Sequence, residues 1–228
     1  MCIRDSEEGV HPLRQIPDGF RYIRHSPLLL GCVTLDLFAV ILAGATSLLP
    51  VYARDILMWN GHHVGPMGLG QMRAAPAVGA AVVALIFAFR PLRTNVGVKM
   101  LWAVAAFGGL TVAFGLSRNY LLSLGLLALL GAADMVSVFV RGTLVQLSTP
   151  DEMRGRVSSI SGLAISASNE LGEMQSGVAA ALLGATGAVV FGGIGAIVIT
   201  AAWAVLFPQL RRSRTFAVHH VSAKEQAT

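Results

Sequence analysis

The sequence predicts an all-α membrane protein of six transmembrane helices arranged as a three-plus-three repeat. Three observations carry that reading: the composition and the spacing of the apolar runs give the six helices, and the placement of ionisable residues within the runs gives the repeat. Of 228 residues, 54% are hydrophobic and only 13% charged, and the mean hydropathy is +0.67. Soluble domains average about 45–50% apolar and about 25% charged. A disordered tail, a disulfide scaffold and a water-soluble enzyme are excluded as descriptions of such a chain. Its two cysteines, Cys2 in a polar tail and Cys32 inside an apolar run, build neither a disulfide framework nor a metal-ligand spacing.

Apolar runs separated by short polar breaks fall at 27–53, 69–89, 98–117, 120–147, 157–184 and 187–207. Each is long enough to cross a hydrocarbon core of about 30 Å as a helix. The runs lack the alternation of a membrane strand, and backbone groups in lipid must be satisfied internally, so helices are the only choice. Pro27, Pro91, Pro150 and Pro208 sit at or near the ends of runs, as stop signals do. Small residues are dense, as in Gly79-Ala80-Ala81 and Gly192-Gly193-Ile194-Gly195. They let helices approach closely where lipid removes the hydrophobic drive between them.

Six crossings put both termini on one side, and the basic residues choose the side. Thirteen of the 17 Lys and Arg lie in the N-terminal tail, in the breaks after the second and fourth runs, and in the C-terminal tail. The opposite side holds two, Arg54 and Arg118, and Arg73 and Arg141 lie within runs. Both termini are therefore expected in the cytoplasm. The net charge of +5 is a topology signal, and no nucleic-acid partner is expected. The chain divides into a cytoplasmic tail or linker at 1–26, a six-helix domain at 27–207 and a basic cytoplasmic tail at 208–228. The first 26 residues lack the apolar stretch of a cleavable signal peptide; nothing in the sequence explains the opening Met1–Ser6.

Setting aside Lys99 at the very start of the third run, which is counted with the break before it, six ionisable residues lie within the runs: Asp36, Arg73, Asp134, Arg141, Glu170 and Glu173. A charge at the centre of a span costs about 2.5–3.5 kcal/mol on insertion scales, so such residues face a cavity or a partner. The first, second, fourth and fifth runs carry all six. The third and sixth are then expected to face lipid while the others line an aqueous path, the same pattern in each half. Asp134 and Arg141, seven apart, share a helix face but lie too far apart along it to pair closely, so their partners are sought elsewhere. In the fifth run Ser159, Gly162, Ser166, Glu170, Glu173 and Gly177 follow steps of three and four, with Asn169 beside them. That stripe is either a water-facing wall or a close helix seam. Two carboxylates one turn apart repel, so one of them is expected to exchange a proton near neutral pH. For Asp36, Asp134 and Arg141 the alternative stands that buried Asp–Arg pairs lock helices together. Arg73, near the external end of its run, reads as a gate charge or as a side chain snorkelling to water.

Enzymatic readings fail on placement. A membrane-embedded serine protease needs a His base at membrane depth, yet all six histidines lie outside the runs. The pair His62-His63 has no Cys or carboxylate beside it to complete a metal site. Gly65, Gly68 and Gly70 follow no predicted strand and form no nucleotide loop. No cofactor is expected.

The break after the fourth run reads Thr149-Pro150-Asp151-Glu152-Met153-Arg154-Gly155-Arg156-Val157. Together with Ala132–Val136, Ser168–Glu173, Leu35–Val40, Arg73–Pro76 and Leu206–Arg212, it resembles the C-terminal half of a major facilitator superfamily transporter. The branch is the one that includes enterobactin-exporting and macrolide-efflux proteins. The resemblance runs from about Gly19 to Arg212 and implies that these spans correspond to the family's seventh to twelfth. It implies a half of the major facilitator fold, with Asp36, Asp134 and Arg141 on the cavity side and Glu170 and Glu173 on the span that packs against the other half. Asp151, Arg154, Gly155 and Arg156 belong to the family's cytoplasmic loop motif. One departure is that Arg90–Lys99 keeps basic residues and Gly97 but has no acid, so a gating salt bridge at that loop is not expected.

The resemblance further implies a proton-coupled antiporter of the bacterial inner membrane, exporting a drug- or siderophore-like small molecule by alternating access. The implied partners are membrane lipid, the small-molecule substrate, and either a missing N-terminal six-helix half or a second copy. Two alternatives remain: a half-size transporter acting as a homodimer, and a non-transporting membrane fragment or partner subunit.

Overall fold

The computed structural model describes residues 23–24, 27–59, 61–90, 92, 95–149 and 151–208. Of the expected tail at 1–26, residues 1–22 and 25–26 lie outside the described residues, as do the basic tail beyond Pro208, Arg93 and the Asp151 side chain. Helix α1 is Pro27–Leu42. It gives way at Ala43 and Gly44 to a 3₁₀ turn over Ala45–Leu48, a helical turn over Leu49–Val51 and a π turn over Tyr52–Ile56. A two-residue hairpin follows, β1 Met58–Trp59 against β2 His62–His63. Three long helices come next, α2 Gly65–Phe89, α3 Val96–Leu116 and α4 Tyr120–Ser148. The last, α5, covers Asp151–Leu206.

Five helical stretches among the described residues are long and apolar enough to cross a membrane: Leu29–Ile56, Gly65–Phe89, Val96–Leu116, Tyr120–Ser148 and Arg154–Leu206. Their outer surfaces carry bare apolar side chains, with Met67, Phe89, Trp102 and Leu182 each more than 70% exposed. In water such a belt would drive association; in lipid it is solvated.

Helix α5 is not one straight rod. Gly184 has φ 75° and ψ 164°, outside the helical region, and the chain turns there. Gly172 lies against Val40 and Ile41, while Gly192 lies against Leu42 and Ala43. Twenty helical residues span about 30 Å, so both can meet the same stretch of α1 only if the two arms of α5 run back alongside each other. The arm 151–183 ascends parallel to α1, with Ser176 reaching Gly44. The arm 185–206 descends beside it, and Trp203 Nε1 donates to Thr34 Oγ1 at 3.0 Å.

Glycine permits the other close crossings. A Cβ on Gly108 would lie 2.8 Å from the Gly193 carbonyl oxygen, which brings α3 against the arm 185–206. Side chains added at Gly79 and Gly131 would overlap backbone atoms of Ala128 and Pro76, which brings α2 against α4. Apolar packing gathers in three clusters, the smallest of them around Leu29, Val145 and Val157. At the hairpin end, Tyr52 stacks on Phe114 with ring centroids 4.8 Å apart and donates to the Gly115 carbonyl at 3.0 Å. Tyr120 donates to Gln71 Oε1 there, and Trp59 meets the Tyr120 ring edge-on. Towards the opposite end, Cys32, Leu35, Val96, Met100, Val140 and Leu144 form a second cluster.

The elements differ from the sequence expectation in four places, the least of them the start of α2 at Gly65, four residues before the expected 69. The first run is regular α-helix only to Leu42 and then continues through 3₁₀ and π turns to Ile56; beside this change Gly44 lies so close to α5 that a Cβ there would meet Ser176 Oγ at 2.6 Å. The fifth run is helical from Asp151, six residues before its expected start. Gly65 does follow a strand, although β2 is only two residues long, exposed and paired with β1 alone, so it makes no nucleotide-binding unit.

Candidate functional site

Asp36 on α1 and Arg141 on α4 form a salt bridge among the buried residues, 5% and 7% exposed. Helix α1 presents Cys32, Leu35, Asp36 and Ala39 on its packed face, and α4 presents Ser137, Val140, Arg141 and Leu144. Both charges are therefore carried inward by the same helical periodicity that buries their apolar neighbours. Arg141 finds its partner across the bundle rather than on its own helix. Asp134, two turns away on α4, is not part of the pair.

Asp134 instead lines a cavity of about 460 Å³ together with Glu170, Glu173, Asn169, Thr46 and Gly44. Its remaining walls come from Val40, Ala43, Pro76, Phe107, Leu130 and Gly131. The lining draws on α1 and the turn after it, α2, α4 and the arm 151–183, with Phe107 the contribution of α3. Three carboxylates and one carboxamide converge, and no lysine or arginine lies on the wall. Such a surface attracts protons and cationic groups.

Glu170 and Glu173 are exposed, and so are Ser159, Gly162, Ser166 and Gly177 along the same face of α5. The stripe is therefore not a seam buried within these helices. Exposed carboxylates on a stretch apolar enough to span a membrane cannot be left facing lipid. This face needs water or another protein surface.

The other sequence candidates stand apart from this cavity. Arg73 is exposed on α2 and absent from the cavity lining. Asp151, Arg154, Gly155 and Arg156 occupy the first two turns of α5. Gly155 and Arg154 are exposed there, and Arg156 is half-buried. His62 and His63 are exposed on β2. The apolar side chain of Phe107 and the mid-helix Pro76 were not singled out by charge or spacing. Pro76 is detectable as a proline inside an apolar run, whereas Phe107 carries no local signal.

Comparison with known proteins gives relatives over most of the chain. The enterobactin exporter EntS of Citrobacter koseri is 31% identical over 212 residues, covering 90% of this chain and 48% of the relative. EntS of Shigella flexneri is 29% identical over 211 residues, with 90% and 47% covered. EntS of Escherichia coli O1:K1 is 29% identical over 212 residues, with 90% and 48% covered. The chain thus spans about half the length of the curated relatives it matches. No solved structure matches it. The sequence profile described as "Transmembrane secretion effector" matches residues 8–226, and the chain accordingly belongs to that family of major facilitator superfamily transporters.

Proposed function

We propose that this chain is the C-terminal half of a proton-coupled exporter that works by alternating access in the bacterial inner membrane. On this reading residues 27–207 cross the membrane six times as a three-plus-three repeat, the last two crossings being the arms of α5 on either side of Gly184. Residues 1–26 and 208–228 are cytoplasmic. The cargo is a siderophore- or drug-like small molecule, a class supported by relatives named as enterobactin exporters.

The observation that carries the reading is the open acidic cavity. Asp134, Glu170 and Glu173 line it, and the exposed stripe of α5 leads away from it on a face unsuited to lipid. A second six-helix body laid on that face would close the cavity and supply its other wall. The relatives' greater length supports a covalently linked N-terminal half as that body. Glu170 or Glu173, with Asp134, exchanges the coupling proton, while the Asp36–Arg141 pair holds α1 to α4 behind the cavity wall.

The test is Glu170→Gln with Glu173→Gln in the full-length protein, assayed in inverted membrane vesicles. Proton-driven uptake is expected to fall by at least tenfold with the protein still present at its normal level. Unchanged proton-driven transport would remove these glutamates from the coupling mechanism.

A further inference from the structure

We infer that two bound water molecules flank the Asp36–Arg141 pair, one held by Ser137 and the other by Ser161, and that the first joins the pair to Asp134 at the acidic cavity. The argument starts from two hydroxyl groups. Ser137 Oγ and Ser161 Oγ are buried and make no hydrogen bond to any protein group among the described residues. Ser137 is only 3% exposed. Buried hydroxyls are almost always satisfied, by protein or by ordered water.

Each hydroxyl borders its own small cavity. Ser137 shares one of about 10 Å³ with Asp36 and Asp134. Ser161 shares another of about 10 Å³ with Asp36, Arg141 and Ser168. That volume is close to the least that admits one water, and a buried water typically needs two to four polar partners. The first cavity offers two carboxylates and a hydroxyl. The second offers a carboxylate, a guanidinium and two hydroxyls; Ser168 already donates to the Ile165 carbonyl at 2.8 Å, which leaves its oxygen free to accept. Wholly apolar pockets stay dry; each of these two, though mainly apolar, has charged and hydroxyl-bearing residues on its lining.

The two waters make one polar line behind the cavity wall, running from Asp134 through water to Asp36, across to Arg141, and through the second water to Ser161. Water occupancy rests on packing and hydrogen bonding alone. Its use as a proton route between Asp134 and the pair rests on the exporter reading.

Alanine substitutions distinguish a wet site from a dry one by sign. If water holds the hydroxyl, Ser137→Ala strands that water and removes a hydrogen bond, which lowers Tm by about 2–4 °C. If the site is dry, the same change removes an unsatisfied polar group and raises Tm. Alanine is also the better helix former, so a fall cannot come from propensity. Ser159→Ala, at an exposed serine bonded to the Gly155 carbonyl, supplies the baseline. The expected result is a fall for Ser137→Ala and for Ser161→Ala in the whole protein, with a density peak in each cavity in a high-resolution structure. A rise or no change at either serine overturns the water assigned to it. Transport does not enter this readout, so the waters and the exporter reading fail separately.

Discussion

At the scale of single residues, the Asp36–Arg141 pair sets the largest energies. Removing one member of a buried pair leaves an uncompensated charge and costs about 3–5 kcal/mol, whereas replacing both by apolar groups of similar volume is often neutral or better. Arg141→Met is therefore expected to unfold the protein several degrees earlier in detergent, and Asp36→Leu to do the same. The double variant should recover most of the loss. A double-mutant cycle on thermal unfolding checks this; additive losses would show that the two side chains do not depend on each other. Each charge was legible in the sequence, because an ionisable residue in an apolar run stands out. An Asp–Arg pair was legible as an alternative, but that Asp36 rather than Asp134 is the partner of Arg141 was not, because helical spacing relates residues on one helix only and these two meet across the bundle. For the same reason Ser137 and Ser161 were unremarkable in the sequence: a serine in a membrane helix gains meaning only from the cavity it borders.

At the scale of elements, the turn at Gly184 decides how much of the chain lies alongside α1. Its φ of 75° and ψ of 164° fall in a region that is essentially restricted to glycine and costs other residues about 1–3 kcal/mol. A Cβ there would meet nothing within 4 Å, so the penalty comes from the backbone alone. Gly184→Ala should lower Tm, whereas Gly109→Ala, equally open but inside α3, should hold or raise it, since alanine gains up to about 1 kcal/mol over glycine there. Thermal unfolding of the two variants side by side checks the contrast, and equal responses would mean that the turn is not built on Gly184. The long elements were readable from hydropathy because each apolar run is bounded by polar breaks. The loss of regular helix after Leu42 was not, since Ala43 and Gly44 look like ordinary membrane residues; only the approach of Gly172 and Ser176 gives them a reason. The hairpin at 58–63 was missed because two paired residues per strand leave no periodicity to read.

At the scale of the whole molecule, the distribution of charge and the turn in α5 make a joint prediction about which side of the membrane each loop occupies. Thirteen of the 17 Lys and Arg fall in tails and breaks assigned to one side, and basic loops stay in the cytoplasm. His62 on β2 and Gly155 near the start of α5 are both exposed, and α2, α3 and α4 lie between them. If each of these three helices crosses once, they lie on opposite sides, and the charge distribution predicts His62 outside. The C-terminus then reports on α5: two crossings return it to the side of Gly155, and one would send it to the side of His62. In a background of Cys2→Ser and Cys32→Ala, cysteines at positions 62, 155 and 228 can be probed with a membrane-impermeant maleimide on intact spheroplasts. Label is expected at 62 alone, and at 155 and 228 only after the membrane is opened. Label at both 62 and 228 in intact spheroplasts would mean that α5 crosses once and that the turn at Gly184 lies within the membrane or on its surface. Label at 155 and 228 but not at 62 would keep six crossings and invert the protein, placing its basic loops outside against the direction their charge favours.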